Sequence, residues 1–228
     1  MSSPEAVAAS GHRRRAARWI FPEKRKEGAA DLARAAGLPL LIAELLAARG
    51  IRSAAEAEEF LHPKIDQLLD PCSMLGMDRA VERIRRAVAE HERVLIYGDY
   101  DVDGTTAVVV LLAGLERLGA RVDVHIPDRL KDGYGMRVPV VERAADDGVT
   151  VLLSVDTGIR EHQVVARAQE LGIDCIITDH HLPKESLPAA HALLNPRRPD
   201  CAYPDKNLSG VGVAFKLVQG LLGDGKRR

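Results

Sequence analysis

This sequence has little of what would staple a fold or anchor it in a membrane. Its three cysteines, Cys72, Cys175 and Cys201, are widely spaced and form no CxxC pair, which argues against a disulfide framework and a thiolate zinc knuckle and fits a reducing compartment. No apolar run approaches the ~18 residues that a membrane span needs. Residues 1–18 are rich in Ala and Arg and lack the apolar core of a secretory signal, so the expected setting is cytoplasmic, with no membrane contact. An excess of one charge is missing too: Lys+Arg 32 against Asp+Glu 33 leaves a net charge of -1. Without a global basic field, a polyanionic partner would have to be held by local basic patches or through bound metal. There is no internal repeat and no low-complexity tract. With 46% hydrophobic and 29% charged residues among 228, the chain has the make-up of one globular α/β domain and a smaller appendage.

What is present is concentrated in one stretch, Arg93-Val94-Leu95-Ile96-Tyr97-Gly98-Asp99-Tyr100-Asp101-Val102-Asp103-Gly104-Thr105-Thr106. An apolar run of strand length meets aspartates at alternate positions, then a glycine, then two threonines that open a helix over residues 107–118. Carboxylates this close repel one another, and a divalent cation among them would let all stay ionised. One of them could simply cap the helix, which explains one and not three. An EF-hand calcium loop is the other alternative, since Asp99, Asp101, Asp103 and Gly104 fill its first, third, fifth and sixth places. Its twelfth place holds Val110 instead of Glu, and the residues upstream read as strand rather than helix.

Before this stretch the pattern is helical. Residues 1–18 read as a flexible leader whose Arg13-Arg14-Arg15 run is a solvated tail, and Trp19-Ile20-Phe21-Pro22 is a docking cluster. Residues 19–90 read as an α-helical prelude. A segment over 38–48 stops at Gly50, Ser53 caps a second, Asp70-Pro71 marks a turn and Asp78 caps a third. After it, short β-branched runs over 121–126, 149–155 and 173–178 alternate with helices over 139–147 and 160–171. A short strand near 191–194 precedes a helix opened by Ser209-Gly210-Val211-Gly212. This alternation predicts an open, mostly parallel sheet with helices on both faces. The glycines of the last helix permit close backbone approach at its N-terminus, for an anion, for a neighbouring strand, or for packing alone.

In such sheets ligands bind beyond the carboxyl ends of the strands. Three predicted strands carry acid or histidine there: Asp99, Asp101 and Asp103; Asp156; and Asp179, His180 and His181. Mixed carboxylates and imidazoles suit Mn²⁺ or Mg²⁺. Asp101 and Asp103, at i and i+2 after a strand, could address two neighbouring ions, with Asp156 bridging from its own strand. A metal pair ~3.5–4 Å apart activates water on one side of a phosphate ester and stabilises the leaving oxygen on the other. Phosphoester hydrolysis is the expected reaction.

Gly98-Asp99-Tyr100-Asp101-Val102-Asp103-Gly104, Val155-Asp156-Thr157-Gly158 and Asp179-His180-His181 together resemble the first motifs of the DHH phosphoesterases. The flanks are similar to the RecJ branch of that family: Met77-Asp78-Arg79-Ala80-Val81, Ile126-Pro127-Asp128-Arg129, Gly133-Tyr134-Gly135, Asn195-Pro196, Tyr203-Pro204 and Ser209-Gly210-Val211-Gly212-Val213-Ala214-Phe215-Lys216. The resemblance spans residues 19–222. It implies a metal-dependent, single-strand-specific 5′ to 3′ DNA exonuclease of recombination and repair, using two divalent ions, Mn²⁺ or Mg²⁺. Its partner would be single-stranded DNA, with a helicase or a single-strand-binding protein beside it.

The resemblance makes Asp101, Asp103, Asp156 and His180 metal ligands with Asp99 close by. His181 then contacts the scissile phosphate or the attacking water, and Asp179 orients a histidine. Arg129 would clamp phosphate, or would cap the strand end as an ordinary loop arginine. The family pattern continues with a further strand carrying a metal-binding aspartate and with domains that close over DNA. The expectation is therefore a DHH domain over 91–228 that is incomplete at its C-terminus and a weak nuclease by itself. Two other readings stand beside this one: a DHH phosphoesterase acting on small phosphates or oligonucleotides, and a non-catalytic DHH binding module.

Overall fold

The computed structural model describes residues 28–133 and 135–223. The leader with Arg13-Arg14-Arg15, the Trp19-Ile20-Phe21-Pro22 cluster, Tyr134 of the glycine loop and residues 224–228 lie outside the described residues. The chain forms two compact units that divide between Leu68 and Leu69.

The first unit is helical. Helix α1 (Ala29–Ala36) ends at Gly37, whose φ of 66° is a left-handed conformation that glycine adopts without strain. Helix α2 (Leu40–Ala48) follows, and α3 (Ala54–Leu61) begins with a capping box in which Ser53 and Glu56 bond each other's backbone N–H groups. Leu32, Ala43, Leu46 and Ala57 form its small core.

The second unit opens with a 3₁₀ turn, Pro71–Ser73, capped by the Asp70 carboxylate. Helix α4 (Met77–Ala89) then leads into β1 (Arg93–Gly98), α5 (Val102–Arg117), β2 (Arg121–His125), α6 (Val138–Asp146), β3 (Val149–Val155), α7 (His162–Glu170), β4 (Asp174–Thr178), β5 (Ala192–Leu194) and α8 (Gly210–Leu222). All strands are parallel, in the order β2-β1-β3-β4-β5. Strand alternation divides the core. Val94 and Ile96 of β1, with Val151 and Leu153 of β3, face α4, α5 and α8, whereas Leu95, Tyr97 and Leu152 face α6 and α7. Helices therefore cover both faces, as expected for a parallel sheet.

Three local expectations are corrected. Asp78 does not cap α4: the N-cap is Gly76, with φ 88°, and Asp78 lies in the first turn where its charge suits the helix dipole. The third helix of the expected prelude, α4, packs on the sheet through Met77, Ala80, Ile84 and Ala87 and belongs to the second unit. Helix α5 starts at Val102, more than a turn before residue 107, because the Asp101 carboxylate caps it by accepting from Gly104 N–H at 2.9 Å. Asp101 and Asp103 thus occupy a helix N-terminus rather than a strand end. The same geometry removes the calcium-loop alternative, since residues 102–110 are helix.

Candidate metal centre

Strand order reverses between β1 and β3, β1 leading to one side of the sheet and β3 to the other. At such a switch point the connections diverge and leave a crevice at the carboxyl ends of the two strands. Into this crevice the chain delivers Asp99 from β1, Asp101 and Asp103 from the first turn of α5, Asp156 from β3, and His180 and His181 from β4. Two small residues let the elements close. A Cβ on Gly98 would overlap Val108 of α5, and one on Gly104 would lie 2.6 Å from the Asp99 carbonyl.

Ligand atoms gather in two sets, each within 4.8 Å: Asp99, Asp101 and Asp156, and Asp156, His180 and His181. Asp156 is common to both. It is 1% exposed, and its backbone adopts φ 60°, a left-handed conformation that Asp tolerates better than most residues. Its Oδ1 is buried and makes no hydrogen bond, although His180 Nε2 lies 3.1 Å away. Burial, reinforced by the charges of Asp103 and Asp101, pushes its carboxyl up to about 8. Asp99, 4% exposed, is also pushed upward, mainly by burial and then by Asp101 and Asp179, against the Tyr100 N–H that donates to it at 2.8 Å. A buried carboxylate oxygen without a donor, ringed by further carboxylates and an imidazole, is a donor set that fits a hard divalent cation.

Asp103 is held differently. Its two oxygens accept from Gly210 N–H and Val211 N–H, each at 2.7 Å, and His180 Nε2 is 3.6 Å from Oδ2. The anion at the start of α8 is thus this carboxylate. A Cβ on Gly210 would overlap Asp156 Oδ1, so only glycine lets α8 approach both acids.

Asp179 does not face the acidic cluster. Its Oδ1 accepts from the N–H groups of His180 and His181 and from His181 Nδ1 at 2.8 Å, while Oδ2 accepts from Ile159 N–H at 2.9 Å. Burial opposes its ionisation, but these bonds win and hold it below the usual carboxylate range. The bond to Asp179 in turn raises His181 and fixes its Nδ1. Arg129 stands apart from these ligand sets, its guanidinium 5.2 Å from the centre of the Tyr100 ring.

Two positioning groups were not singled out as site residues from the sequence. Buried Asn195 donates to the His181 carbonyl at 2.9 Å and accepts from Arg197 N–H, which locks the backbone behind the histidines. The α8 amides grip Asp103 from 107 and 108 residues away. The motifs Asn195-Pro196 and Ser209-Gly210-Val211 were legible, but not their targets.

Residues 93–228 match the DHH family, N-terminal domain. The chain is similar to the single-stranded-DNA-specific exonuclease RecJ of Bacillus subtilis, with 42% identity over 207 residues, 91% of this chain and 26% of that protein. RecJ of Dickeya dadantii is 40% identical over 203 residues, 89% of this chain and 34% of that protein. The chain thus spans only about a quarter to a third of the length of these curated relatives. The crystal structure of RecJ from Thermus thermophilus in complex with Mn²⁺ is similar at a TM-score of 0.67 and 29% identity, over 85% of this chain and 26% of that one. With this match running from β1 through α8, and with Asp179-His180-His181 closing β4, the chain belongs to the DHH family.

Proposed function

We propose that this chain carries the metal-dependent phosphodiester hydrolysis of a RecJ-type exonuclease, which degrades single-stranded DNA from the 5′ end in recombination and repair. The observation that carries this reading is Asp156, whose buried, unpartnered oxygen lies where the two ligand sets meet. Similarity to the RecJ exonucleases supplies the substrate class.

In this reading Asp99, Asp101 and Asp156 hold one divalent ion, and Asp156 with His180 holds the second. Mn²⁺ or Mg²⁺ bound there would ease ionisation of the attacking water and stabilise the leaving oxygen. The protein's own contribution is positioning. Asp103, pinned by α8, orders the acidic edge and faces His180. Asp179 fixes His181 so that its second nitrogen meets the scissile phosphate or the water. Arg129, beside Tyr100, takes a phosphate at the margin of the site. A helicase that opens duplex, or a protein that coats single strands, is the class of partner such an activity implies. Its place of action is the cytoplasm, where such DNA is found in bacteria. Among the described residues no helix is long and apolar enough to cross a membrane.

A single-turnover assay with 5′-labelled single-stranded DNA, a dinucleotide and pyrophosphate tests the reading. The expected result is weak, Mn²⁺-dependent cleavage of the single-stranded DNA with little preference for its 5′ end, abolished by Asp156→Asn. Hydrolysis of pyrophosphate or the dinucleotide alone would replace it with a small-phosphate enzyme, and metal binding without any turnover would replace it with a binding module.

A further inference from the structure

Beyond the metal centre, a cleft of about 520 Å³ opens between the N-terminal ends of α6 and α7. It adjoins the site. Arg160 and Glu161 line both this cleft and a smaller one of about 30 Å³ whose wall includes Asp179 and His181. The larger cleft is cationic on one side. Arg137 and Arg160 reach its rim, and His162 and Gln163 open α7 there with no side chain capping the helix, so the positive end of its dipole faces the cleft.

Both guanidiniums are already braced. Arg160 donates through Nε and Nη2 to the Leu182 carbonyl at 3.0 and 2.8 Å, and Arg137 donates through Nη1 to the Asp132 carbonyl. Each keeps further N–H donors on a fork whose orientation is fixed in advance. The one acid, Glu161, does not oppose them at the rim, because its carboxyl lies against the backbone of residues 135–136. It accepts there from the Met136 N–H, and its Oε1 would be 2.6 Å from a Cβ on Gly135.

The geometry points to this cleft as the subsite for a phosphodiester of the single strand next to the one being hydrolysed, held by Arg137, Arg160 and the start of α7. This rests on the strand-hydrolysing reading above and adds where the strand leaves the metals. The cleft is too large for a phosphate alone, and Val138 and Pro139 on its wall, both at least partly exposed, can pack against the attached sugar or base.

The test is equilibrium binding of a short labelled oligothymidylate to the whole chain in Ca²⁺ across a salt series, with strand integrity checked on a gel. The Mn²⁺-induced rise in melting temperature is recorded alongside. Arg137→Ala with Arg160→Ala is expected to weaken binding about tenfold and to flatten the log–log salt slope by about one to two, with the Mn²⁺ response unchanged. Because those arginines also brace two loops, Gln163→Glu is the second variant. A carboxylate in the first turn of α7 favours the helix, so it should leave melting unimpaired while weakening strand binding several-fold. If the parent binds the strand and all variants bind it equally, the cleft assignment is overturned and the hydrolytic reading stands. If the parent responds to Mn²⁺ but binds no strand, both are overturned.

Discussion

At the scale of single residues, Asp156 concentrates the cost and the purpose of the site. Its carboxyl is pushed up to about 8, first by burial and then by Asp103 and Asp101. A group whose folded value is raised binds its proton more tightly in the folded than in the unfolded chain. The resulting stability is present below the ordinary carboxylate range and is lost as pH rises toward 8. Metal-free protein should therefore melt at progressively lower temperature between pH 5 and 8, with a slope of at most about 1.4 kcal/mol per pH unit from this proton. Mn²⁺ should cancel the decline, because an ion that binds only the folded state adds RT ln(1 + [L]/Kd). Asp156→Asn keeps a side chain that tolerates φ 60° and removes only the charge. It should flatten the metal-free profile and abolish the Mn²⁺ response. A variant that still gains stability from Mn²⁺ like its parent would take Asp156 out of the metal site.

At the scale of elements, the local grammar was readable and the long-range grip was not. Strand, acids and helix around Asp99 followed from spacing, because β1 and α5 are built from neighbouring residues. A capping aspartate was legible as a possibility, but not that it is Asp101 and that α5 therefore starts at Val102, since a capping aspartate and a metal-binding aspartate look the same in sequence. That Asp103 is held by α8 was out of reach for another reason: spacing carries no information on which helix N-terminus arrives from across the core.

Two substitutions at that terminus should separate capping from site assembly. Ser209 accepts from Gly212 N–H at 3.2 Å, so Ser209→Ala should cost about 1 kcal/mol of stability and spare the Mn²⁺ response. Gly210→Ala places a methyl on Asp156 Oδ1 and should cost about 1–3 kcal/mol while erasing that response. Thermal melts of both proteins with and without Mn²⁺ provide the comparison. Equal Mn²⁺ responses in the two would show that α8 does not shape the site.

At the scale of the whole second unit, charge is arranged unequally along the strands. Beyond the carboxyl ends lie the acids that call for a cation. At the opposite edge the charges are already matched. Buried Arg83 donates to Glu92 at 2.6 Å and also binds Asp174, and Glu92 accepts from Thr150. Burial opposes ionisation of Glu92, but Arg83 and Thr150 outweigh it and hold the carboxyl below its usual value. Arg83→Met leaves Glu92 without its bonded counter-charge, whereas Asp174 keeps Arg86 at 3.6 Å, and should destabilise the chain by about 3 kcal/mol, with Mn²⁺ still raising the melting temperature. Loss of the metal response in that variant would show that the two edges are coupled rather than independent.

The clasp between Asp103 and the start of α8 also sets an order of events. Its halves are separated by 107 residues, and α8 is the last element described. During synthesis the acidic edge and the histidines leave the ribosome well before Gly210 and Val211, so an ion that meets the emerging chain finds loose ligands rather than a finished cage. Contacts this distant in sequence close late, after the loop entropy between them has been overcome. Capture of metal then becomes a signal that the last helix has docked. In a stopped-flow refolding experiment, acceleration by Mn²⁺ is expected to be absent from early phases, and the ion should act only by slowing unfolding of the completed fold.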